Sequence, residues 1–130
     1  MKIGAGVAKG LSYLHNEANP RVIHGDLKPA NVLLGEGYHP KISDFRIATM
    51  IVASDAQPPS VTTTRLVGTH PFGAPEGALT GTLSPKSDVY SFGVLLLEII
   101  AGTVPLNKKY PYNVADWVKV QILINIFKSN

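Results

Sequence analysis

The stretches HGDLKPANVLL, residues 24–34, and KISDFR, residues 41–46, decide how this chain folds and what chemistry it carries. Each contains a short β-prone run, and the six residues between them, GEGYHP, include two glycines and a proline. Glycine and proline between short β-prone runs are typical of a tight antiparallel connection. The sequence therefore predicts a small β-hairpin, with Asn31 before its first strand and Asp44 after its second.

The expected pairing brings the two ends of this hairpin together. We expect Asn31 and Asp44 to flank its open end, with their Cα atoms about 5 Å apart. An amide oxygen and a carboxylate oxygen at that separation can share one Mg²⁺, whose bonds to oxygen are about 2.1 Å long. The cross-strand pairs in this register are Val32 with Ser43, Leu33 with Ile42, and Leu34 with Lys41.

Asp26 and Lys28 lie on the segment that leads into the same end of the hairpin. Together with Asn31 and Asp44, they supply a carboxylate base, an ammonium group, an amide oxygen and a second carboxylate. Phosphoryl transfer requires this set, because phosphate charge must be neutralised while a carboxylate lies near the incoming hydroxyl. Convergence on one hairpin end argues against the alternatives of ordinary surface carboxylates and an ordinary turn asparagine.

Two helices are predicted. Apolar residues at positions 3, 7, 11 and 14 recur at helical spacing and predict a helix over residues 2–15. Its glycines resemble part of a dinucleotide-binding fingerprint, but no strand comes before them, so close helix packing explains them better. Residues 88–101 form the clearest helix, which starts near Ser84 or Ser87 and stops at Gly102. Because its apolar residues lie on every side, we expect neighbours that this sequence does not supply.

The remaining segments give weaker indications. Residues 46–83 are rich in Ser, Thr, Pro and Gly, and we expect them to have little regular structure. Residues 118–130 form an apolar tail whose helical phase is not defined. The histidines His15, His39 and His70 have no ligand spacing and are expected at the surface.

Composition limits the partners that are expected. The formal net charge is only +3 and the basic residues form no run, so a nucleic-acid interface is not expected. The chain has no cysteine, which rules out disulfides and thiolate metal sites and is compatible with a reducing compartment. The longest apolar run, residues 89–101, is shorter than the roughly 20 residues of a bilayer span, so direct membrane insertion is not expected.

Four ordered motifs resemble those of protein kinases. HGDLKPAN is similar to the catalytic loop pattern His-Arg-Asp-Leu-Lys-Pro-x-Asn, and Asp44-Phe45-Arg46 is similar to the metal-binding Asp-Phe-Gly. The match is completed by Ala-Pro-Glu at 74–76 and by the helical sequence from residue 87 onward. The residues of these motifs resemble those of plant receptor-like Ser/Thr kinases. The resemblance implies a mainly α fold with a small β-hairpin: a kinase C-lobe fragment over residues 1–117, with the N-lobe absent.

The resemblance implies a role for each residue of the motif. Asp26 would orient the substrate hydroxyl and accept its proton. Lys28 would stabilise the transferring phosphate, and its position favours Ser/Thr over Tyr substrates. Asn31 and Asp44 would hold Mg²⁺, so the expected cofactors are ATP and Mg²⁺ and the expected partner is a protein substrate or another part of the kinase domain.

Five further residues have implied supporting roles. Leu33 would form part of the surface beneath adenine, and Thr69 would bridge Asp26 and Lys28 beside the substrate. Asp88 would accept backbone N–H groups of the catalytic loop. The two residues expected to stack into an internal spine are His24 and Phe45.

Two positions depart from the family pattern, and a third matches it but lacks its usual partner. Gly25 replaces an arginine that pairs with a phosphate on the activation segment, so this coupling is expected to be absent. Arg46 replaces a glycine, and we expect strained backbone there, which would affect the direction of the Asp44 side chain. Glu76 has no arginine partner in the sequence and is expected to be exposed or mispaired.

The sequence also contains no glycine-rich loop before a strand and no Val-Ala-Ile-Lys lysine. The isolated chain is therefore expected to be inactive, although its family transfers phosphoryl groups to protein Ser/Thr hydroxyls. Two alternatives stay open: a catalytically inactive kinase-like module that binds a partner, and a truncated gene product. The family often has a membrane-anchored parent protein with its kinase domain in the cytosol, so a cytoplasmic location is expected.

Overall fold

The computed structural model describes residues 2–51, 60–62 and 72–102. The predictions for Thr69, His70 and the tail 118–130 concern residues outside these ranges. The helices are α1 Lys2–Ser12, α2 Pro75–Thr80 and α3 Pro85–Ala101. The strands are β1 Arg21–Ile23, β2 Val32–Leu34, β3 Pro40–Ile42, β4 Thr49–Ile51, β5 Val61–Thr62 and β6 Thr82–Leu83.

Helix α1 buries one side and uses glycines to approach its neighbours. Val7 and Leu11 are buried, as the helical spacing predicts. A Cβ atom at Gly10 would lie 2.8 Å from the Ile42 side chain, closer than two carbon atoms can approach, and Gly4 and Gly6 are similarly close to Leu96 and Pro40. The glycines therefore allow close packing, as predicted.

The predicted helix over residues 2–15 changes its winding before it ends. The α-helical hydrogen bonds stop at Ser12, and residues 13–17 form a wider π-helical turn. This turn is closed by the Ala18 N–H, which donates to the carbonyl oxygen of Tyr13 at 2.9 Å. The extra residue in the turn changes the direction of the side chains that follow Ser12.

Helix α3 has well-defined ends. Its start is fixed at Ser84, whose N–H donates to Ser87 Oγ at 3.1 Å, and Pro85 occupies the first turn. It stops at Gly102, which adopts a left-handed conformation with φ of 65° and donates to the Glu98 carbonyl oxygen. Of the two starts that the sequence offers, Ser84 is therefore the observed one, and the helix includes the three residues before Asp88.

Two small apolar clusters form the core of the described residues. The first joins α1 and α3 to the loop after β1, through Val7, Leu11, Leu27 and Leu95. The second lies under the β1–β4 and β5–β6 pairs and consists of Ile23, Ile51 and Leu83. Several large apolar side chains of α3 stay outside both clusters; Ile100, for example, is 72% exposed. This exposure agrees with the apolar residues that the sequence places on every side of the helix.

The hairpin forms, but its predicted register is wrong by one residue. The observed pairs are Val32 with Ile42, Leu33 with Lys41 and Leu34 with Pro40. The connection is five residues long, because the Gly35 N–H donates to the His39 carbonyl oxygen at 2.9 Å and Pro40 enters the strand.

Two consecutive left-handed residues make this shorter connection possible. Gly37 and Tyr38 have φ values of 64° and 60°. A tyrosine rarely adopts this conformation, so the sequence contains no signal that predicts it. The shift places Asn31 opposite Ser43, whose N–H donates to the Asn31 carbonyl oxygen at 2.9 Å.

The expectation for residues 46–83 is also corrected. The described parts of that segment include β4, β5, α2 and β6, and three antiparallel strand pairs form instead of one hairpin. Strand β4 forms because Arg21, Val22 and Ile23 of β1 pair with it and so satisfy its backbone polar groups. Among the described helices, none combines the length and the apolar character needed to cross a bilayer.

Glu98 is a polar residue on an otherwise apolar part of α3. Its Oε2 atom is buried and has no hydrogen-bond partner among the described residues. Burial raises the pKa of this carboxyl above its ordinary value, because the charged form loses hydration. The folded state therefore favours the protonated acid.

We expect the Glu98→Gln variant to be more stable than the parent chain at pH 7. Below about pH 4, Glu98 is protonated in both the folded and unfolded states, and its contribution to the free energy of unfolding is fully present. That contribution is lost as the pH rises through the raised pKa, so the parent chain weakens relative to the variant. The expected difference at pH 7 is a few tenths of a kcal/mol, about what a partly solvated charge gives. Urea unfolding at pH 4 and pH 7 measures it.

The exposed Glu36→Gln change is the matched control, because it removes the same charge from a solvated loop. Equal pH dependence in the two variants would contradict the burial argument.

Candidate functional site

Asp26, Lys28 and Asn31 meet at the end of the β2–β3 hairpin. Lys28 Nζ lies 2.7 Å from Asp26 Oδ2. The Asn31 side-chain amide donates to the Asp26 carbonyl oxygen at 2.9 Å and to Oδ2 at 3.2 Å. A turn of 3₁₀ helix, Pro29–Asn31, positions the asparagine just before β2. Within the described residues, both side-chain contacts use Oδ2 and none uses Oδ1, so one carboxylate oxygen is left for another partner.

The loop before Asp26 is held by a buried carboxylate on α3. Asp88 is 1% exposed, and its two oxygens accept the N–H groups of His24 and Gly25, each at 2.8 Å. These are the backbone contacts that the resemblance implied for Asp88. Hydrogen bonds from N–H groups to an ionised carboxylate are stronger than neutral ones, so this contact fixes the loop firmly.

His15 supplies a third donor to the same carboxylate. Its Nε2 lies 2.7 Å from Asp88 Oδ2, and its side chain is only 10% exposed. The expectation that His15 lies at the surface is therefore wrong. The available signal was its spacing: His15 follows the buried residues Val7 and Leu11 at four-residue intervals, on the π-helical turn that extends α1.

His24 connects the loop to the hairpin. It is fully buried, and its Nε2 lies 2.9 Å from the Ser43 carbonyl oxygen, while its Nδ1 accepts the Asp26 N–H at 3.2 Å. A carbonyl can only accept and an N–H can only donate, so these contacts specify a neutral ring protonated at Nε2. Its ring contacts Phe45 edge to face, with centroids 5.1 Å apart.

Gly25 adopts a backbone conformation that favours glycine. Its φ is 77°, and an added Cβ would lie 3.0 Å from Leu83 Cδ1 and 3.6 Å from Ile47 Cδ1. The left-handed conformation costs an L-residue roughly 1–2 kcal/mol. Glycine here therefore avoids the strain that an arginine with the same φ would carry.

Asp44 adopts a left-handed conformation and pairs with Arg46. Its φ is 65°, whereas Arg46 is not among the residues with positive φ, so the strain predicted at Arg46 lies at Asp44 instead. The guanidinium grips both carboxylate oxygens: Nε to Oδ1 at 2.6 Å and Nη2 to Oδ2 at 2.7 Å. This hydrogen bonding, aided by the charge of Arg46, lowers the pKa of Asp44 below its ordinary value.

The side-chain oxygens of this site are of the kind that Mg²⁺ prefers, but Arg46 limits their availability. The Asn31 contacts use its amide nitrogen, which leaves the amide oxygen as the ligand atom. The Asp44 oxygens are the other suitable ligands, and the guanidinium already holds both. No cluster of three His, Cys, Asp or Glu side chains suited to a metal occurs in the described part of the chain, so water or phosphate must complete any site.

The other candidate residues lie around this centre. Leu33 is 55% exposed on the hairpin. Glu76 is exposed at the start of α2, where its Oε1 accepts a hydrogen bond from Ser87 Oγ at 3.4 Å. This exposure is what the sequence predicts for a glutamate without its arginine.

We expect Gly25→Ala to destabilise the chain by about 1–2 kcal/mol, because alanine must adopt the left-handed conformation and contact Leu83. The matched control is Gly93→Ala in the middle of α3, where the described residues leave 4 Å around the added Cβ empty. That change should stabilise the helix by about 0.5–1 kcal/mol. Opposite signs of the stability change in urea unfolding support the conformational role of Gly25; a loss of stability in both variants would count against it.

We expect Asp88→Ala to cost about 3 kcal/mol or more, because it leaves two N–H groups of the loop without an acceptor. His15→Leu removes only one donor from a carboxylate that keeps two, so we expect it to lower the free energy of unfolding by about 1 kcal/mol. Urea unfolding measures both values. A larger loss in His15→Leu than in Asp88→Ala would contradict this order.

Comparison with known proteins agrees with the motifs. Residues 1–129 match the family described as protein kinase domain. Serine/threonine-protein kinase PBS1 of Arabidopsis thaliana is 48% identical over 122 residues, covering 92% of this chain and 26% of that protein. Serine/threonine-protein kinase PBL27 of the same plant is 51% identical, covering 92% and 23%.

Proline-rich receptor-like protein kinase PERK15, also of Arabidopsis thaliana, is 44% identical over 123 residues, covering 92% of this chain and 23% of that protein. The chain spans about a quarter of the length of these curated relatives. The family match extends over nearly all of the sequence and includes every motif described above. This chain belongs to the protein kinase family.

Proposed function

We propose that these residues form the C-lobe part of a Ser/Thr protein kinase domain. In a complete domain, the site transfers the γ-phosphoryl group of ATP to Ser or Thr hydroxyls of a protein substrate. The names of the relatives, which are Ser/Thr and receptor-like kinases, support this assignment. The proposal depends most on one observation: the convergence of Asp26, Lys28 and Asn31 at the hairpin end.

The contacts of Asp26 suit a base that orients a hydroxyl. Its main chain is fixed by His24 Nδ1 and by the Asn31 amide, and its Oδ2 is held by two donors. The carboxylate is thereby held in one orientation before a substrate arrives. A serine or threonine hydroxyl that donates to Oδ1 would have its oxygen turned toward the phosphate and would give its proton to Asp26.

Lys28 places a positive charge beside this base. Its side chain is 23% exposed, so the ammonium can contact a phosphate without leaving Asp26. Negative charge on the transferring group would be stabilised by this cation, which is already in position. In this proposal Lys28 is a catalytic residue that binds the phosphoryl group.

The residues proposed to hold Mg²⁺ are Asn31 and Asp44, through their side-chain oxygens. Mg²⁺ bound there supplies neutralisation of the ATP phosphates. Leu33 contributes an exposed apolar surface suited to adenine. Thr69 is proposed to bridge Asp26 and Lys28.

Supporting residues keep the site in register. Asp88 holds the loop backbone, and His24 joins that loop to Ser43 of the hairpin. Phe45 packs on His24 and so links the segment around Asp44 to the same unit. We propose these three as positioning residues; none of them is proposed to touch the reacting atoms.

The proposed location of the domain is the cytosol, as part of a parent protein that a membrane segment elsewhere can anchor. Receptor-like relatives favour this arrangement. A nucleic-acid partner stays disfavoured because the net charge is small.

A second candidate function is a kinase-like module that binds a partner without catalysis. The observation that favours it is the Asp44–Arg46 pair, which takes up both oxygens of a proposed metal ligand. Calorimetric titration of the chain with Mg·ATP separates the two: heat of binding that disappears in Asp44→Ala supports the enzyme. A folded chain that ignores the nucleotide supports the partner-binding module.

We expect Asp26→Asn to lower phosphoryl transfer by about 10²–10⁴-fold, the usual contribution of a general base. The variant should keep nucleotide affinity, because Asp26 contacts the hydroxyl and not ATP. The measurement is transfer of labelled phosphate to a Ser/Thr peptide by a complete catalytic domain that contains these residues. Glu36→Gln, on the exposed connection of the hairpin, is the control and should leave the rate unchanged. Full activity in Asp26→Asn would overturn the proposed role.

A further inference from the structure

The contact between Arg46 and Asp44 bears on how the proposed metal site is filled. Both carboxylate oxygens accept from the guanidinium, at 2.6 and 2.7 Å, in the two-pronged geometry that gives the strongest Arg–carboxylate pairs. The two residues are separated only by Phe45, so the pair forms within one local segment.

A guanidinium in this position opposes a divalent cation in two ways. Mg²⁺ binds carboxylate oxygens at about 2.1 Å, in the directions that the arginine N–H groups now occupy. The charge of Arg46 also repels a second cation near the same oxygens. Metal and guanidinium therefore exclude one another at Asp44.

The pair is nevertheless able to open. Arg46 is 82% exposed, and it lies in the turn closed by the Ala48 N–H and the Phe45 carbonyl oxygen. Even a two-pronged pair is screened by salt when its arginine is this exposed, so open and closed forms interconvert. Once the arginine swings into solvent, the carboxylate is free to bind a metal.

We propose that Arg46 is a built-in competitor for the divalent cation at Asp44, so that metal binds only to the open form of the pair. This inference rests on the proposed role of Asp44 as a metal ligand, and it adds a control that a glycine at position 46 would not provide. Lys28 strengthens the same effect, because its positive charge also acts on Asp44. The affinity for metal is then reduced by the fraction of chains in which the pair is open.

The test uses Mn²⁺ as a paramagnetic probe of the 130-residue chain. Titration is followed by the broadening of the backbone amide signals of Asn31 and Phe45 in NMR spectra. We expect Arg46→Gln to lower the apparent Kd for Mn²⁺ by about threefold to tenfold, the factor by which a closed pair reduces the binding-competent fraction. Arg21→Gln is the matched control: it removes the same charge from an exposed arginine on β1 and should leave the Kd unchanged.

Two further measurements sharpen the result. The difference in apparent Kd for Mn²⁺ between the parent chain and Arg46→Gln should become smaller when the salt concentration is raised from 50 to 500 mM, since screening opens an exposed pair. In the parent chain itself, added Mg²⁺ should move the Arg46 Nε–H signal toward that of a solvent-exposed arginine. This second readout needs no variant and does not depend on how a variant folds.

The outcomes separate the inference from the proposed function. An equal Kd in the parent chain, Arg46→Gln and Arg21→Gln, with an unchanged Arg46 signal, overturns the competition alone. Binding that is unaffected by Asp44→Asn, or no binding near Asn31 in any variant, overturns the metal role of Asp44 and the inference with it.

Discussion

The carboxylate of Asp88 is the point on which the arrangement of the site depends. It is buried, and it accepts from three donors that come from two other parts of the chain: the end of the first helix and the loop after β1. A buried charge is tolerated only when its oxygens are satisfied, and each donor here would itself be unsatisfied without the carboxylate. The interaction therefore forms as a unit, and it fastens α1, α3 and the loop at one place.

From that point, hydrogen bonds lead without interruption to the proposed base. The loop held by Asp88 contains His24, which donates to the Ser43 carbonyl oxygen; Ser43 in turn donates to the Asn31 carbonyl oxygen, and the Asn31 amide holds Asp26. The observed hairpin register matters for this reason. Ser43 connects His24 to Asn31 because it lies opposite Asn31, and the register expected from the sequence would have placed Asp44 there instead.

Features that depend on neighbouring residues could be predicted from the sequence, whereas features that depend on distant contacts could not. Periodicity located both long helices, and the glycines and proline located the hairpin. The register depended on a left-handed tyrosine, Tyr38, which propensity disfavours. The burial of His15 depended on a carboxylate 73 residues away, and strand β4 depended on its pairing with β1. Spacing along α1 contained a signal for His15, but a histidine is read as polar unless its partner is known.

The charges of the site follow one local rule that explains how it forms before any ligand arrives. Each of the two proposed catalytic or metal-binding carboxylates pairs with a basic residue two positions later: Asp26 with Lys28 and Asp44 with Arg46. Two like charges on one hairpin end would otherwise repel, so these pairs let the loop and hairpin assemble without a cation. The first pair leaves an oxygen for the substrate within the described residues, whereas the second occupies both oxygens. The ion pair with Arg46 that stabilises assembly at Asp44 therefore also limits the access of a metal ion to this carboxylate. Both effects come from the arginine that replaces the family glycine.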